Sequence, residues 1–304
     1  MKKLTTIFAV LAACALQAQT VTLKLQLEEG ETFVMQIQQN MEVTQSAMGQ
    51  EVKIKTAVQV TNLYTVVGQQ EDGQWILEGQ FQEINVQIDN LMGGKVTFGT
   101  DVKLKDDTSQ AVRALVNKPY TVLVTEKGVV TAVNGMDDIF TEMDTELASL
   151  SRNRKKAAIE QVKAAFNEKT SKKFVEGCFV KDPGRELKPG HVWMVRDTTA
   201  ENGIEMFADN QYRLEGFDEQ AIQVSIMTIM QNNPNNKPVI NNGVEMTTSL
   251  YGTMKGKVML DAQTGWVVEG EFSADISGSA TVYMRGESMD IPMTIKSRNT
   301  VKRL

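Results

Sequence analysis

The sequence predicts an α+β protein, mainly antiparallel β, in which a curved or half-barrel sheet carries a central helical insert. Three observations predict this class. Side chains alternate with a period of two over residues 20–100 and again over residues 247–295, helical periodicity is concentrated in residues 137–176, and turn residues separate the strand runs. With 304 residues, of which 41% are hydrophobic and 23% charged, the chain can bury a core and is too polar for a multi-span membrane protein.

The first strands are predicted from whether their apolar residues fall on odd or on even positions. In residues 33–43 and again in residues 52–66, apolar side chains fall on one face and polar side chains on the other, with a turn at residues 48–50 between them. This is the pattern of two long, half-buried antiparallel strands. In the next run the apolar parity changes near Gln82 and Glu83, which predicts a β-bulge that bends the sheet.

Helices and a hairpin are predicted in the middle of the chain. Residues 108–117 indicate a short helix capped by Thr108 or Ser109. Residues 120–133 form two Val-rich runs around a glycine turn, which predicts a hairpin. Within the insert at residues 137–176, the spacing of apolar side chains predicts two helices.

Strands return after the insert. Residues 191–196 and 211–214 are short strand candidates, and the Asn and Pro content of residues 232–243 predicts a long exposed loop. Residues 289–295 make a closing strand, and Pro292 within it favours an edge position because proline cannot donate to a ladder.

The N-terminal residues are typical of a secretory signal peptide. Lys2 and Lys3 precede an apolar run at residues 4–16 that is too short to span a bilayer, and small residues follow it. We therefore expect a signal peptide at residues 1–19 and an exported protein of the periplasm or outer membrane, with no transmembrane span in the mature chain. Because small residues also precede Cys14, lipid anchoring through this cysteine is the open alternative.

The remaining residues 20–304 are predicted to form one β-rich globular domain that contains the helical insert. Residues 120–135 and 257–270 each place a strand, a glycine turn and a Val-rich return strand before another glycine. This similarity leaves an alternative fold, two packed β units that arose by duplication.

The sequence lacks residues that several common kinds of catalytic site require. Histidine is the commonest general base near neutral pH, and His191 is the single histidine of the chain. Either processing route removes Cys14 from disulfide pairing, so Cys178 is expected to be a buried, unpaired thiol. No glycine-rich phosphate loop is present, and a net charge of −6 disfavours nucleic acid. We predict no enzymatic activity, no metal and no cofactor.

Charged side chains cluster around the predicted insert. Asp137 and Asp138 stand where a helix N-terminus favours negative charge, and the acidic residues that follow are expected on its solvated face. They could also bind calcium or form an acid–base pair. The basic cluster that begins at Arg152 is read as a solvated helix start, with docking to anionic lipid or a partner as the alternative.

Methionine is unusually frequent, with 17 copies, several of them on the inward faces of predicted strands. Flexible thioethers suit a pocket that accepts varied apolar shapes, although they also fill ordinary cores. We therefore predict an apolar ligand-binding face, built from Met35, Met41, Met254, Phe272, Met284 and Met293.

Five features together point to a known kind of protein: Lys2-Lys3, Ala18-Gln19-Thr20, the residue 120–124 hairpin with Gly128, Asn134-Gly135-Met136-Asp137 and the strand at residues 291–301. On these features the chain resembles a secreted β-rich family of unknown function from Bacteroidota-type bacteria. The resemblance implies export and an antiparallel β scaffold and brings no catalytic residue. In architecture the chain is also similar to periplasmic lipoprotein carriers, whose curved sheet encloses an acyl-binding cavity.

These observations predict an exported envelope protein of a Gram-negative bacterium that binds a lipid or other apolar small molecule within its curved sheet. The alternative is a structural or protein-interaction module that binds another envelope protein through an exposed apolar patch, near residues 232–243.

Overall fold

The computed structural model describes residues 20–47, 50–90, 94–201, 204–233, 238–241, 244–284 and 287–304. The predicted signal peptide with Cys14, and residues 48–49 of the first predicted turn, lie outside these ranges. The elements are β1 Thr32–Ala47, β2 Gln50–Gln69, β3 Trp75–Asn90, β4 Gly94–Gly99, α1 Asp107–Leu115, β5 Pro119–Val124, β6 Val130–Asn134, α2 Met136–Glu146, α3 Arg152–Ala165, α4 Glu168–Glu176, β7 Val192–Glu201, β8 Ile204–Phe217, β9 Ala221–Asn232, β10 Val239–Asn241, β11 Val244–Asp261, β12 Val267–Met284 and β13 Glu287–Arg303.

The strands in the described part of the chain form one open, curved sheet in which every paired neighbour is antiparallel. Its order is β6-β5-β3-β2-β1-β13-β12-β11-β9-β8-β7, with β4 added to β3 and β10 added to β11. The predicted fold class is thereby confirmed. The alternative of two packed β units is not what the chain forms, since β1 pairs with β13 and joins both strand blocks in one sheet.

The predicted bulge in β3 is confirmed. Thr61 of β2 lies opposite Glu83, whereas the next residue, Asn62, lies opposite Phe81. Gln82 is therefore the extra residue on β3. The buried apolar residues move from odd to even positions at this residue, as the sequence predicts.

The hydrophobic core lies at one end of the sheet, where the helices pack. There α1 contacts β4 and α4 contacts β6. Trp266 is fully buried at the centre of this core and stacks on Phe33, with ring centroids 3.9 Å apart. The ring of Phe179 meets it edge-on at 4.7 Å, and the indole N–H points at the sulfur of Met35 at 3.1 Å.

Helix α1 begins one residue before the predicted cap, so the expectation of Thr108 or Ser109 is wrong. Asp106 is the cap, and its carboxylate accepts hydrogen bonds from the backbone N–H of Ser109 at 2.8 Å and from the Ser109 hydroxyl at 2.6 Å. An aspartate in this position satisfies an N–H that has no partner within the helix.

The insert contains three helices, α2 to α4, where the sequence predicted two. Helix α3 ends at Ala165, with Phe166 as its C-cap, and α4 begins at Glu168. The new helix can start so soon because the Asn167 side chain accepts a hydrogen bond from the N–H of Thr170 and caps α4. A cap so close to the preceding helix end looks in the sequence like a continuation of α3.

Two strands are longer than predicted and one was missed. The candidate at residues 191–196 is part of β7, which extends to Glu201. The candidate at residues 211–214 is part of β8, which begins at Ile204. The predicted loop at residues 232–243 includes β10, which pairs with β11; its residues 234–237 and 242–243 lie outside the described part. Neighbouring strands supply the pairing that local propensity did not indicate.

The edge position predicted for the last strand is wrong, because β13 lies between β1 and β12. Pro292 pairs with Ser279 of β12, but the ladder to β1 ends one residue later, at the pair Met293–Gln45. A central strand can therefore carry proline at a position where it is paired with only one of its two neighbours.

Gly79→Ala should destabilise the protein by about 1–3 kcal/mol, since overpacking of a tight contact costs this much. A Cβ on Gly79 would lie 2.5 Å from the ring of Tyr120, which crosses the strand at this point. Gly216→Ala is the matched control, because nothing lies within 4 Å of its Cβ position. Urea unfolding of both variants measures the difference, and equal stability of the two would contradict this account of the Gly79–Tyr120 contact.

Candidate functional site

Beyond the core, the apolar face of the sheet continues toward the opposite ends of the strands. We call this part the distal apolar face and define it by twelve half-buried side chains: Met41, Val43, Val52, Ile54, Met246, Met254, Ile276, Val282, Met289, Ile291, Met293 and Ile295. Among the described residues, these side chains neither belong to the core nor pack against it. The face is mainly apolar, with Gln45 and Ser297 among these side chains, and none of the twelve packs against the core cluster that the helices join.

Strand register aligns these side chains into rows. Ile54, Val43, Ile295 and Ile276 are successive partners across β2, β1, β13 and β12. Directly opposed residues of antiparallel strands point to the same side of the sheet, about 5 Å apart. On β11 the partner of Ile276 is Gly252, which packs closely against it, and Met230 of β9 continues the row.

The structure does not bring all the predicted ligand-binding residues together. Met41, Met254 and Met293 lie on the distal apolar face, and Met41 and Met254 belong to one row with two small residues between them. Met35, in contrast, is fully buried beside Trp266 in the core.

Phe272 lies at the border between the core and the distal apolar face. It is half-buried, packs against the core and lies over Gly256, whose Cβ position would be 2.3 Å from the Phe272 ring. Met284 is the last residue of β12 and pairs with Glu287, but its side chain is outside the part that the structure describes.

The opposite face of the same strands is polar and forms an open cleft of 1110 Å³. Its lining carries four basic and three acidic side chains: Lys255, Lys257, Arg298, Lys302, Glu215, Glu269 and Glu271. By register, Lys257 lies opposite Glu271 and Lys302 lies opposite Glu269. Because opposite charges face each other across adjacent strands, they stabilise the sheet. The lining of the cleft therefore carries both positive and negative charge.

Exposed apolar side chains adjoin this cleft. We call Met194, Met227, Ile229 and Tyr251 the exposed patch; each is between 42% and 69% exposed. They lie on β7, β9 and β11, on the face opposite the distal apolar face. Large apolar groups clustered at a surface mark interaction sites.

The charged groups around the insert are paired with one another. Lys163 contacts Asp137 at 2.6 Å and Lys155 contacts Asp144 at 2.8 Å, while Arg154 binds Asp107 of α1 at 2.6 Å. The predicted acidic face and basic cluster therefore hold the helices together, and exposed pairs of this kind contribute little each. In the described ranges, no three His, Cys, Asp or Glu side chains come together as metal ligands.

The histidine and the cysteine are held in structural positions. His191 Nδ1 accepts a hydrogen bond from the backbone N–H of Lys188 at 3.2 Å, in the turn before β7. Cys178 is buried beside Phe179 as predicted. Burial raises the pKa of the Cys178 thiol well above its usual range, so the reactive thiolate is disfavoured.

Cys178 should resist alkylation in the folded protein and react on unfolding. Incubation with N-ethylmaleimide at pH 8, followed by peptide mass spectrometry, should find the Cys178 peptide unmodified without denaturant and fully modified in guanidinium chloride. Complete labelling of this peptide under native conditions within minutes would show that the thiol is accessible.

Fold and site define a class of protein: a single open antiparallel sheet with one apolar face, covered by helices at one end. Residues 72–267 match a family of unknown function (DUF6263), and the chain belongs to this family. No curated protein matches the chain. Within the described residues, none of the helices is both long and apolar enough to cross a membrane.

The comparison with solved structures gives matches of low identity and low TM-score. Lipovitellin, studied for its lipid–protein interactions, is 8% identical with a TM-score of 0.47, and the match covers 92% of this chain and 25% of lipovitellin. This chain thus spans about a quarter of that protein. OccK5 (OpdH) of Pseudomonas aeruginosa is 9% identical with a TM-score of 0.24, covering 90% and 98% of the two chains. The β domain of the Bordetella autotransporter BrkA is 9% identical with a TM-score of 0.25, covering 90% and 100%.

Proposed function

We propose that this protein is a non-enzymatic, exported envelope protein that binds a hydrophobic ligand, such as a lipid acyl chain, on the distal apolar face. The observation that carries the proposal is the continuous row Ile54–Val43–Ile295–Ile276, which spans four strands outside the core. Soluble proteins seldom leave a large contiguous apolar surface without an occupant.

The available surface suits an acyl chain energetically. Covering about 300 Å² of apolar area stabilises a complex by about 7 kcal/mol at about 25 cal/mol per Å². The loss of ligand freedom offsets part of this gain. An extended chain that lies across the strands follows one row and contacts one strand after another, so its affinity is the sum of many weak contacts.

Methionine on this face suits ligands of varied shape. Met41, Met254 and Met293 are each half-buried, so their side chains can change rotamer when a ligand covers them. The rows also contain isoleucine and valine, which are stiff at χ1. Adaptable and rigid positions therefore alternate over the surface, which favours a class of apolar ligands over one compound.

The proposed location rests on the N-terminal residues. The basic start, short apolar run and small-residue exit of residues 1–19 are those of an export signal. No chemical step is part of the proposal: His191 serves a turn, and Cys178 is buried with a raised thiol pKa.

A protein-interaction module is the second candidate, and the exposed patch favours it. Met194 and Tyr251 are 69% and 68% exposed, more than any side chain of the distal apolar face. Aromatic and methionine side chains are enriched in protein interfaces. In this alternative an envelope protein covers the exposed patch and the distal apolar face serves the fold only.

The two candidates are separated by a matched pair of variants. Met293 and Ile295 lie two residues apart on the distal apolar face, and Met227 and Ile229 have the same spacing on the exposed patch. We expect Met293→Gln with Ile295→Ser to weaken binding of dansyl-undecanoic acid at least about tenfold, since the loss of about 1.4 kcal/mol has this effect. Met227→Gln with Ile229→Ser should change it less than about twofold. Dansyl fluorescence titration measures both.

Circular dichroism melting first establishes that both double variants fold. Equal affinity of the Met293/Ile295 variant and the unmodified protein would overturn the proposal. A selective loss in the Met227/Ile229 variant would place the probe on the exposed patch and favour the interaction module. Native mass spectrometry of the purified protein should detect bound lipid.

A further inference from the structure

A second cavity lies beside the β3 bulge, on the polar side of the sheet. Its volume is 650 Å³, and we call it the bulge pocket; its lining residues are Thr61, Gln82, Glu83, Asn85, Thr100 and Asp101. All six carry a side-chain oxygen, two are carboxylates, and lysine and arginine are absent from this lining set. The pocket thus collects hard oxygen donors with a net negative charge.

Thr61 gives an independent reason to expect a ligand. It is 6% exposed, and its hydroxyl oxygen is buried without a hydrogen-bond partner among the described residues. A buried polar group without a partner costs about 1–3 kcal/mol, so native proteins rarely leave one unless water or an ion satisfies it. Thr61 faces Glu83 across the bulge, where the ladder is interrupted.

The neighbouring contacts orient the donors and leave ligating atoms available. Asn85 donates its side-chain amide N–H to Glu83 at 2.8 Å. The side-chain carbonyl oxygen of Asn85 takes no part in this hydrogen bond and can serve as a ligand. Gly99 fits closely against this oxygen, since a Cβ there would lie 2.8 Å from it. Thr100 is fixed to β3 because its N–H donates to the carbonyl of Ile84 at 2.8 Å.

Asp101 completes the pocket from the segment that leads to α1. One of its carboxylate oxygens accepts the backbone N–H of Lys103 at 2.9 Å. The guanidinium of Arg113 is the nearby positive charge, and it is engaged by the backbone carbonyls of Asp101 at 3.2 Å and Leu104 at 3.1 Å. This arrangement fixes the segment and leaves the second Asp101 oxygen for another partner.

We propose that the bulge pocket binds Ca²⁺ through Glu83, Asp101, Asn85 and Thr61. Calcium takes six to eight oxygen ligands from carboxylates, amide carbonyls and water, in flexible geometry. Zinc prefers nitrogen and sulfur, and magnesium demands a near-ideal octahedron, so neither suits this irregular set. Two carboxylates predict a weak site with a Kd of about 10⁻⁴–10⁻³ M, the range of extracellular calcium modules. The inference is independent of ligand binding on the distal apolar face.

Bound calcium would join two parts of the fold. Glu83 and Asn85 belong to β3, whereas Thr100 and Asp101 follow β4 and lead to α1. An ion that binds the folded protein and not the unfolded chain raises stability by mass action. We therefore expect the sheet and the start of the helical part to be stabilised together.

The test uses the full-length protein after chelation with EDTA and buffer exchange. In differential scanning calorimetry, 10 mM CaCl₂ should raise Tm by about 2–4 °C over 10 mM MgCl₂ at equal ionic strength. Isothermal titration with CaCl₂ should give a Kd of about 10⁻⁴–10⁻³ M. Glu83→Gln and Asp101→Asn should each weaken binding at least about tenfold. Glu160→Gln, on the exposed side of α3, should leave it unchanged.

Thr61→Val separates a ligand role from a packing role. Removal of the unpartnered hydroxyl should maintain or raise Tm without calcium and should reduce the shift that calcium causes. Hydrogen–deuterium exchange of the unmodified protein provides a measurement that needs no variant: calcium should slow exchange at residues 82–85 and 100–104. The proposal would be overturned if titration with CaCl₂ released or absorbed no heat of binding, or if magnesium raised Tm as much as calcium does. It would also be overturned if calcium raised the Tm of Glu83→Gln and Asp101→Asn as much as that of the unmodified protein.

Discussion

The pairing of β1 with β13 is the interaction on which the architecture depends. It runs from Met35–Arg303 to Gln45–Met293 and joins the strands before the helical insert to those after it. At the core end, Arg303 forms an ion pair of 2.9 Å with Asp261, and the N–H of Leu304 donates to Val34. Because this ladder unites both halves in one sheet, the apolar faces of the two halves become one surface.

The core occupies only part of that surface because the helices and the non-helical segments at residues 20–31 and 177–191 cover only one end of the strands. Trp266 marks the centre of the covered end, where Phe33 and Tyr64 from the sheet and Phe179 from the segment after α4 surround its ring. Farther along the same strands the described helices contribute no contact, and the side chains remain half-buried. The division between packed core and distal apolar face therefore follows from the position of these covering elements, not from a change in the strands.

Side-chain parity predicted the β scaffold well because alternation is a local property. It indicated β1, β2, the face of each strand and the bulge at Gln82. Strand order was not predictable, since the partner of β13 is set by contacts between distant parts of the chain. For the same reason, parity could not separate Met35 from Met41: both lie on one face, but only Met35 meets Trp266. Ile54 and Ile295 were visible as apolar strand positions, and register alone brings them into one row.

The bond between Trp266 and Met35 connects residues 231 positions apart, and the β1–β13 ladder spans a comparable separation. Most other ladders join strands that are neighbours in the sequence, so the closure of the β1–β13 ladder carries a large loop-closure cost. The β1–β13 ladder cannot form until the last strand has been synthesised, and the two halves of the sheet are joined only then.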